Sequence, residues 1–509
     1  MAPSYVTPGV YVEELPSAGA PIEGASTSVA AFIGFAEMGP RNKPVLVTNW
    51  SQFKAKFGDI QKDYYLAHAV YGYFNNGGGI AYVVNVASPL APKALVAADG
   101  DASLTFEVQA VREGLKAKGI SVEVTHGVEA DADGNLPATL DEDDETPVFS
   151  VHVKKGDTTL ESFRNLVMDK ESARYVETVV NGASAYIYIN IPQTKGGDLV
   201  PVPGAGAFNL AKDAAPAIET SAVQGDVRER SGIAGLEAVE NVTIVAAPDL
   251  MAAYNKGLIE EETLIGLQKA MVEHCERMSN RVAILDTPLG LDPQEVKEWR
   301  ETKLMVDSSY ATLYYPWVKV LGPDGKLMPV PPSGHVAGVW ARTDATRGVH
   351  KAPANEVVRG AVEMVSDMTA AEQGTLNPVG INCIRAFGAM GIRIWGARTL
   401  ATTDPSWKYI NVRRFFNYVE SSIQTGTQWA VFEPNDVALW ARLKRDITQF
   451  LLRPYREGAL FGATPDQAFY VKCDGETNPP DQIDAGMVVV EIGMCPVKPA
   501  EFVIFRVRQ

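Results

Sequence analysis

Between residues 240 and 320, short apolar runs alternate with helical patterns, and this alternation limits the fold more than any other feature of the chain. "NVTIVAAPD" and "RVAILDTP" are continuous apolar runs of strand length, and "EEETLIGLQKAMVEHCERM" between them carries helical spacing. "DPQEVKEWRETKLMV" predicts a helix with Asp292 as its cap, Pro293 in the first turn and Glu295 in the capping-box position. "SYATLYYPWVKV" supplies a third strand. Strands separated by helices pair in parallel, so a mainly parallel sheet with helices on its faces is expected.

Residues 27–95 carry the same signature. "TSVAAFIGFAEMGP" is a buried strand closed by a Gly-Pro turn, "PVLVTNWSQFKAKFGD" a strand leading into a short helix, and "YYLAHAVYGYFNNGGGIAYVVNV" a helix, a turn and a strand. From 96 to 230 the pattern changes. "FEVQAV", "ISVEVT" and "FSVHVKK" alternate with period two, the mark of half-exposed antiparallel strands, and predict an inserted β-rich domain facing outward. Its acidic run, Glu129, Asp131, Asp133 and Asp141 to Glu145, faces no nearby Lys or Arg and reads as a solvated loop.

Beyond residue 376 two helices are expected. One opens at Asp404 and Pro405 and carries the stripe Val412, Phe416, Val419 and Ile423. The other runs from Val437 to Arg453 with Trp440, Leu443, Ile447, Phe450 and Leu451 on its apolar face. Opposite that face a 100° step aligns Ala438, Arg442, Arg445, Gln449 and Arg453. Such a row is either a solvated face or a docking strip for an acidic partner, with the guanidinium forks gripping carboxylates. Strands "AFYVKCD", "MVVVEIGM" and "EFVIFRV" follow.

The two ends share one property. "GVYVEE", with Val10, Tyr11 and Val12, is a short extended run on a small-residue tether. Phe502, Val503, Ile504, Phe505 and Val507 make a β-branched and aromatic run with none of the charges or prolines that blunt an edge strand. A lone strand of this kind is incomplete without a sheet elsewhere. Burying the five C-terminal apolar side chains is worth about 10 kcal/mol at roughly 2 each, and ladder hydrogen bonds add about 5. Ordering the segment costs about 13. One donated strand is therefore marginal, and a lattice of many makes the links firm.

Composition excludes several classes. A chain of 509 residues exceeds one core, and 46% hydrophobic with 21% charged residues is globular. The formal charge of −16 opposes binding to nucleic acid or anionic lipid. No stretch has the length of a membrane span, the first residues lack the pattern of a secretory leader, and four scattered cysteines suggest neither a disulfide framework nor zinc. A cytoplasmic chain is expected, with no catalytic, metal or cofactor site. The enzymatic alternative rests on Asp249 and Asp286, which lie just past the carboxyl ends of parallel strands, where α/β enzymes place their chemistry. Each also sits beside a proline, where Asp caps helices and turns. Ser333, His335, Asp344 and His350 fall in a Gly-, Pro- and Ala-rich segment read as a packed loop, and "NNGGG" reads as a turn rather than a phosphate cradle.

The segments "PGVYVEE", "TSVAAFIGFAEMGP", "YGYFNNGGGIAYVVNV", "VPPSGHVAGVWARTDATRGVHKAPAN", "LNPVGINCIRAFGAMGIRIWGARTL", "WKYINVRRFFNYVESSI", "WAVFEPND" and "VKCDGETNPPDQIDAG" resemble, in this order, the contractile tail sheath proteins of myophages and related extracellular contractile injection systems. The resemblance covers residues 1–95 and 235–509. It implies an α+β and α/β multidomain chain of mixed sheets with flanking helices: an arm and linker at 1–26, a middle α/β domain from 27–95 and 231–375, a variable outer β-rich insertion at 96–230, an inner, tube-facing core domain at 376–490, and a donated strand at 491–509. It further implies hexameric rings stacked around an inner tube, strands exchanged between subunits through both termini, and contraction from a strained extended state without nucleotide. The implied partners are other copies of the chain, the tube protein, and baseplate and terminator or cap proteins, with no nucleic acid and no membrane insertion. Assembly is expected in the bacterial cytoplasm, and the product is a phage tail or an injection particle. A tube contact through Arg442, Arg445, Gln449 and Arg453 is the corresponding expectation for the arginine row.

Overall fold

The computed structural model describes residues 21–36, 39–62, 64–86, 93–97, 104–110, 120–130, 147–191, 204–207 and 220–506. The expected N-terminal strand at Val10, Tyr11 and Val12, the acidic residues Asp131, Asp133 and Asp141 to Glu145, and Val507 lie outside them. The chain forms two compact units, one of residues 28–342 and 353–405, the other of 1–27, 343–352 and 406–509.

The larger unit is built on a nine-stranded sheet. In spatial order its strands are Glu356–Val357, Ile392–Ile394, Ile381–Ala386, Ala311–Tyr315, Val282–Asp286, Ile244–Ala246, Ala30–Gly34, Ala81–Asn85 and Val45–Val47. The central strands pair in parallel and antiparallel strands close the edges. Ala30–Gly34, Val282–Asp286 and Ala311–Tyr315 are buried at every residue, as a parallel sheet covered on both faces requires. The helix Glu261–Met278 places Leu264, Leu267, Met271 and Cys275 in this core. The helix at Pro293 begins as expected: Asp292 accepts from Glu295 N at 2.8 Å and the Glu295 carboxylate accepts from Asp292 N at 2.8 Å.

Several expectations change. "SYATLYYPWVKV" is two strands, because Pro316 cannot donate to a ladder: Ala311–Tyr315 stays in the main sheet, while Val318–Leu321 joins a small sheet with Leu327–Val330 and Glu363–Met364. Residues 376–405 belong with the main sheet, since Ile381–Ala386 pairs with Ala311–Tyr315, so the boundary falls near 405 instead of 376. The helix opened by Asp404 and Pro405 begins later: Pro405–Trp407 is one 3-10 turn and the α-helix is Ile410–Gly426. The Gly- and Ala-rich segment read as a loop is the helix Ser333–Arg347.

Close approach explains that last helix. A Cβ on Gly334 would fall on Ala69, and one on Gly338 on the carbonyl oxygen of Tyr73, so the small residues let this helix lie against Leu66–Asn76 while Val336, Val339 and Trp340 stay buried. Gly338→Ala is therefore expected to destabilise the chain by about 1–2 kcal/mol, overpacking outweighing the better helix propensity of alanine. A urea midpoint displaced upward would show that the two helices do not meet there.

Among the described residues between Asn85 and Ile244, antiparallel strands lie where the period-two runs fall. Gly204–Ala207, Ile120–His126, Phe149–Lys155 and Thr158–Leu166 form one antiparallel sheet, and Lys93–Ala97, Leu104–Ala110 and Ile187–Asn190 another. Val122, Phe149, Val151, Val153, Val180 and Ile189 make a core of their own. Glu129 is not a solvated loop residue: it faces Thr125, His152 at 3.1 Å and Arg164 at 3.4 Å. Arg164 is distant in sequence and reaches Glu129 only through the sheet.

In the smaller unit the helices Ile410–Gly426 and Val437–Arg456 pack Phe415, Val419, Ile447, Phe450 and Leu451 with Phe469 and Val471 of a two-stranded sheet, Phe469–Lys472 against Glu491–Met494.

Candidate assembly interfaces

Among the described residues, the C-terminal segment is held as far as Glu501 and no further. Val497 N donates to Ala459 O at 3.1 Å, Asn411 Nδ2 to Val497 O at 3.0 Å, and the Tyr409 hydroxyl to the Glu501 carboxylate at 3.2 Å. The next residues have no ladder partner among the described residues, and Phe502, Val503, Ile504 and Phe505 are 73%, 69%, 77% and 87% exposed. The expected strand is thus an open apolar run in the single chain. Four adjacent exposed hydrophobic side chains mark an interaction site.

The sheet of Phe469–Lys472 and Glu491–Met494 has no third strand among the described residues. Strand pairing begins only at Glu491, so the first half of "MVVVEIGM" is irregular, and Met487, Val489 and Tyr470 stay exposed. Two strands form a marginal unit with unfilled edges.

The helix Val437–Arg456 buries Trp440, Leu443, Ile447, Phe450 and Leu451 and exposes Ala438, Arg445, Gln449 and Arg453, with Arg442 half-buried. The arginine row has acidic neighbours that the face reading omitted. Arg445 lies 3.1 Å from Asp446, Arg442 3.9 Å from the same carboxylate and 3.6 Å above the Trp429 ring, and Arg453 3.1 Å from Glu457. The spacing of 442 with 446 and of 453 with 457 is the i,i+4 signal that could have found both acids. At the N-terminal end of this helix Phe432 is fully exposed at φ 68° and Val431 and Val437 stand out beside it, a display with no signal in residue pattern.

The two strand-end aspartates are committed to the fold. Asp249 accepts from the backbone N–H groups of Phe35 at 2.7 Å, Leu66 at 3.1 Å and Tyr65, joining a strand end to the start of a helix. Asp286 accepts from Ser333 N at 3.0 Å and Ser333 Oγ at 2.6 Å, capping Ser333–Arg347. Burial pushes the Asp249 carboxyl up to about 6 and that of Asp286 up to about 7, although each accepts hydrogen bonds that favour the charged form. Both are sealed from solvent, so neither can meet a substrate. Ser333 is spent on Asp286, and Asp344 pairs with Arg414 at 2.5 Å, so the tempting Ser, His and Asp set is not a triad. Gly77 closes Leu66–Asn76 in the left-handed region, which makes "NNGGG" a helix stop. Among the described residues no group of acidic, His and Cys side chains could hold a metal ion, and no helix is long and apolar enough to cross a membrane.

Among the described residues, then, the chain presents an exposed apolar run near one end and a two-stranded small sheet, and its two strand-end carboxylates are buried. Residues 233–400 match the phage tail sheath protein central domain and residues 402–509 the phage tail sheath C-terminal domain, together slightly more than half of the chain. The chain belongs to the phage tail sheath proteins. The tail sheath protein of Salmonella phage ViI is 31% identical over 276 residues, 52% of this chain and 41% of that protein, so this sheath chain spans about two fifths of the length of that relative. The tail sheath protein of Burkholderia phage BcepMu is 24% identical over 508 residues, 96% of this chain and 94% of its own. In fold, the chain is similar to the helical sheath of the anti-feeding prophage in its contracted state, with a TM-score of 0.58, 23% identity, and 99% of this chain and 100% of that one covered. It is likewise similar to the PVC sheath complex of an extracellular contractile injection system in its contracted state, with a TM-score of 0.56, 23% identity, and 100% and 99% covered. These relatives are structural sheath proteins and not enzymes, and no support remains for an enzyme built on Asp249 and Asp286.

Proposed function

We propose that this sheath chain polymerises as hexameric rings around an inner tube and contracts from a metastable extended state, driving the tube through a target envelope. The observation that carries this reading is the exposed Phe502–Phe505 run in a unit whose small sheet has two strands among the described residues. In the polymer the C-terminal run and the N-terminal Val10, Tyr11 and Val12 each add a strand to the small sheet of a neighbouring copy, whose backbone groups supply the ladder and whose exposed Tyr470, Met487 and Val489 supply apolar cover. Linked this way, subunit bodies can change pitch without separating. Baseplate and terminator proteins bound the column at its ends. Assembly takes place in the bacterial cytoplasm, and the finished column is part of a phage tail or an injection particle.

The outward face of Val437–Arg456 grips the tube in the extended state through Arg442, Arg445, Gln449 and Arg453. Because Asp446 and Glu457 already partner these arginines, an acidic tube surface must displace in-chain carboxylates, which makes the grip releasable on contraction. Electron micrographs of the purified chain should show hollow cylinders, whereas discrete closed oligomers would defeat the polymer reading. Reversing Arg442 and Arg445 to Glu should reduce co-sedimentation with tube at least tenfold while tube-free cylinders still form. Equal loss of both, or of neither, removes the assignment of this face.

A further inference from the structure

The residues that follow the N-terminal arm are a built anchor and not a loose tether. "LPSAGAPIEGAS" has the composition of a flexible connector, yet its second half and the Thr27 that follows are docked in the smaller unit at three points. Ile22 is buried against the helix Ile410–Gly426 and sits over Gly426, where a Cβ would lie 2.7 Å from its Cγ2. Gly24 crosses the hydroxyl of Tyr418 so closely that a Cβ there would push that ring aside. One residue on, Ala25 N donates to Ser422 Oγ at 2.8 Å, and that hydroxyl donates to Tyr418 O at 2.6 Å.

The third point is ionic and lies inside the unit. Arg414 forks onto Asp344 at 3.0 and 2.5 Å, with the two side chains only 3% and 5% exposed. Thr27 closes the pair from both sides: its hydroxyl donates to the Asp344 carboxylate at 2.7 Å, and its carbonyl accepts from Arg414 Nη2 at 2.9 Å. A buried ion pair is only as good as the hydrogen bonds that complete it. Here one backbone carbonyl and one hydroxyl of residue 27 complete it, so the pair holds the chain at that residue. None of these partners is foreseeable from composition, because the pairings span 317 and 387 residues of sequence.

We infer that residues 22–27 are a fixed anchor for the N-terminal arm, with Asp344 and Arg414 as positioning residues that set where the arm leaves the body. Its importance for assembly rests on the sheath reading above; the anchor itself does not. Fixing the chain at Ile22 instead of at residue 26 shortens the reach of the arm by about 13 Å at roughly 3.3 Å per extended residue. It also passes any pull on the arm into the helix Ile410–Gly426, where the C-terminal segment is held as well through Asn411. Both strand-bearing ends of one copy would then be fastened to one helix.

The anchor carries its own probe. Glu23 has an exposed side chain, but cleavage after it requires the backbone to leave the docked path. With the full-length chain and a glutamate-specific protease, the bond after Glu23 should be cut at least tenfold more slowly than in a synthetic peptide of residues 15–32. Thr27→Val, which removes one hydrogen bond without stranding a charge, and Gly426→Leu, which fills the seat of Ile22, should each accelerate that cut at least tenfold while circular dichroism stays unchanged. Thr27→Ser, which keeps the hydroxyl, should restore protection. Cleavage in the native chain at the peptide rate, or Thr27→Val and Gly426→Leu both without effect, overturns the anchor. The reading is made on the unassembled chain, so failure to form cylinders leaves it standing, and failure of the anchor leaves the cylinders standing.

Discussion

Replacing Phe502 and Phe505 together by Asp is expected to leave the single chain as stable as before and to abolish cylinders. Both rings are more than two thirds exposed, and surface substitutions of this kind shift stability by about 0.5 kcal/mol or less. In the polymer the same rings are to be buried at about 2–3 kcal/mol each. Each junction then loses about 5 kcal/mol, a factor of several thousand in its equilibrium constant, and the charges would also have to be desolvated. The check is a pair of measurements on one preparation: a urea midpoint within error of the native chain, and sedimentation showing no large species. A clear drop in the midpoint would mean that the run packs on its own body, and the exchange of strands would lose its basis.

The sequence made legible those features whose physics is local. The capping box at Asp292 and Glu295 is a three-residue device and is found where its pattern lies. The buried parallel strands announce themselves by unbroken apolar runs, and the apolar stripe of Val437–Arg456 by its 3.6-residue period. What was lost needed a partner from elsewhere. Ser333–Arg347 looks like a loop because glycine and serine are poor helix formers, but its glycines are there for the helix of Leu66–Asn76, and Asp286 supplies the cap that its own N-terminal sequence lacks. Glu129 seems unpaired until Arg164 arrives across the sheet. The assembly site divides the same way: the unblunted C-terminal run is visible in residue types alone, while the carboxylates that temper the arginine row emerge only once the helix is drawn with its i,i+4 neighbours.

Asp249 illustrates how a raised carboxyl can imitate a catalytic group, and its removal is expected to be among the most damaging single changes to the larger unit. Perturbed carboxyls cluster at active sites, but here the perturbation is simple burial, and the group's occupation is to accept three backbone N–H bonds from Phe35, Tyr65 and Leu66. Asp249→Ala strands those donors at about 1–3 kcal/mol each, offset in part by no longer burying a charge. A net loss of about 4 kcal/mol in urea unfolding is expected, and a loss below about 1 kcal/mol would mean that solvent reaches the site. Asp286→Asn should be milder, because the amide oxygen can still accept from Ser333, and its signature is in pH. A carboxyl held at about 7 in the folded chain and at its ordinary value when unfolded gives the native state an extra proton between those limits. That contribution is complete below about 4 and disappears as pH rises through 7. The native chain should therefore gain on Asp286→Asn as pH is lowered from 8 to 5, by at most about 1.4 kcal/mol per pH unit. Buried His68 and His335, held down at about 4, and His274, at about 3, pull the opposite way, since each is protonated more readily once unfolded. They are common to both proteins and cancel in the difference, which isolates the carboxyl; a flat difference across this range would place Asp286 in contact with water.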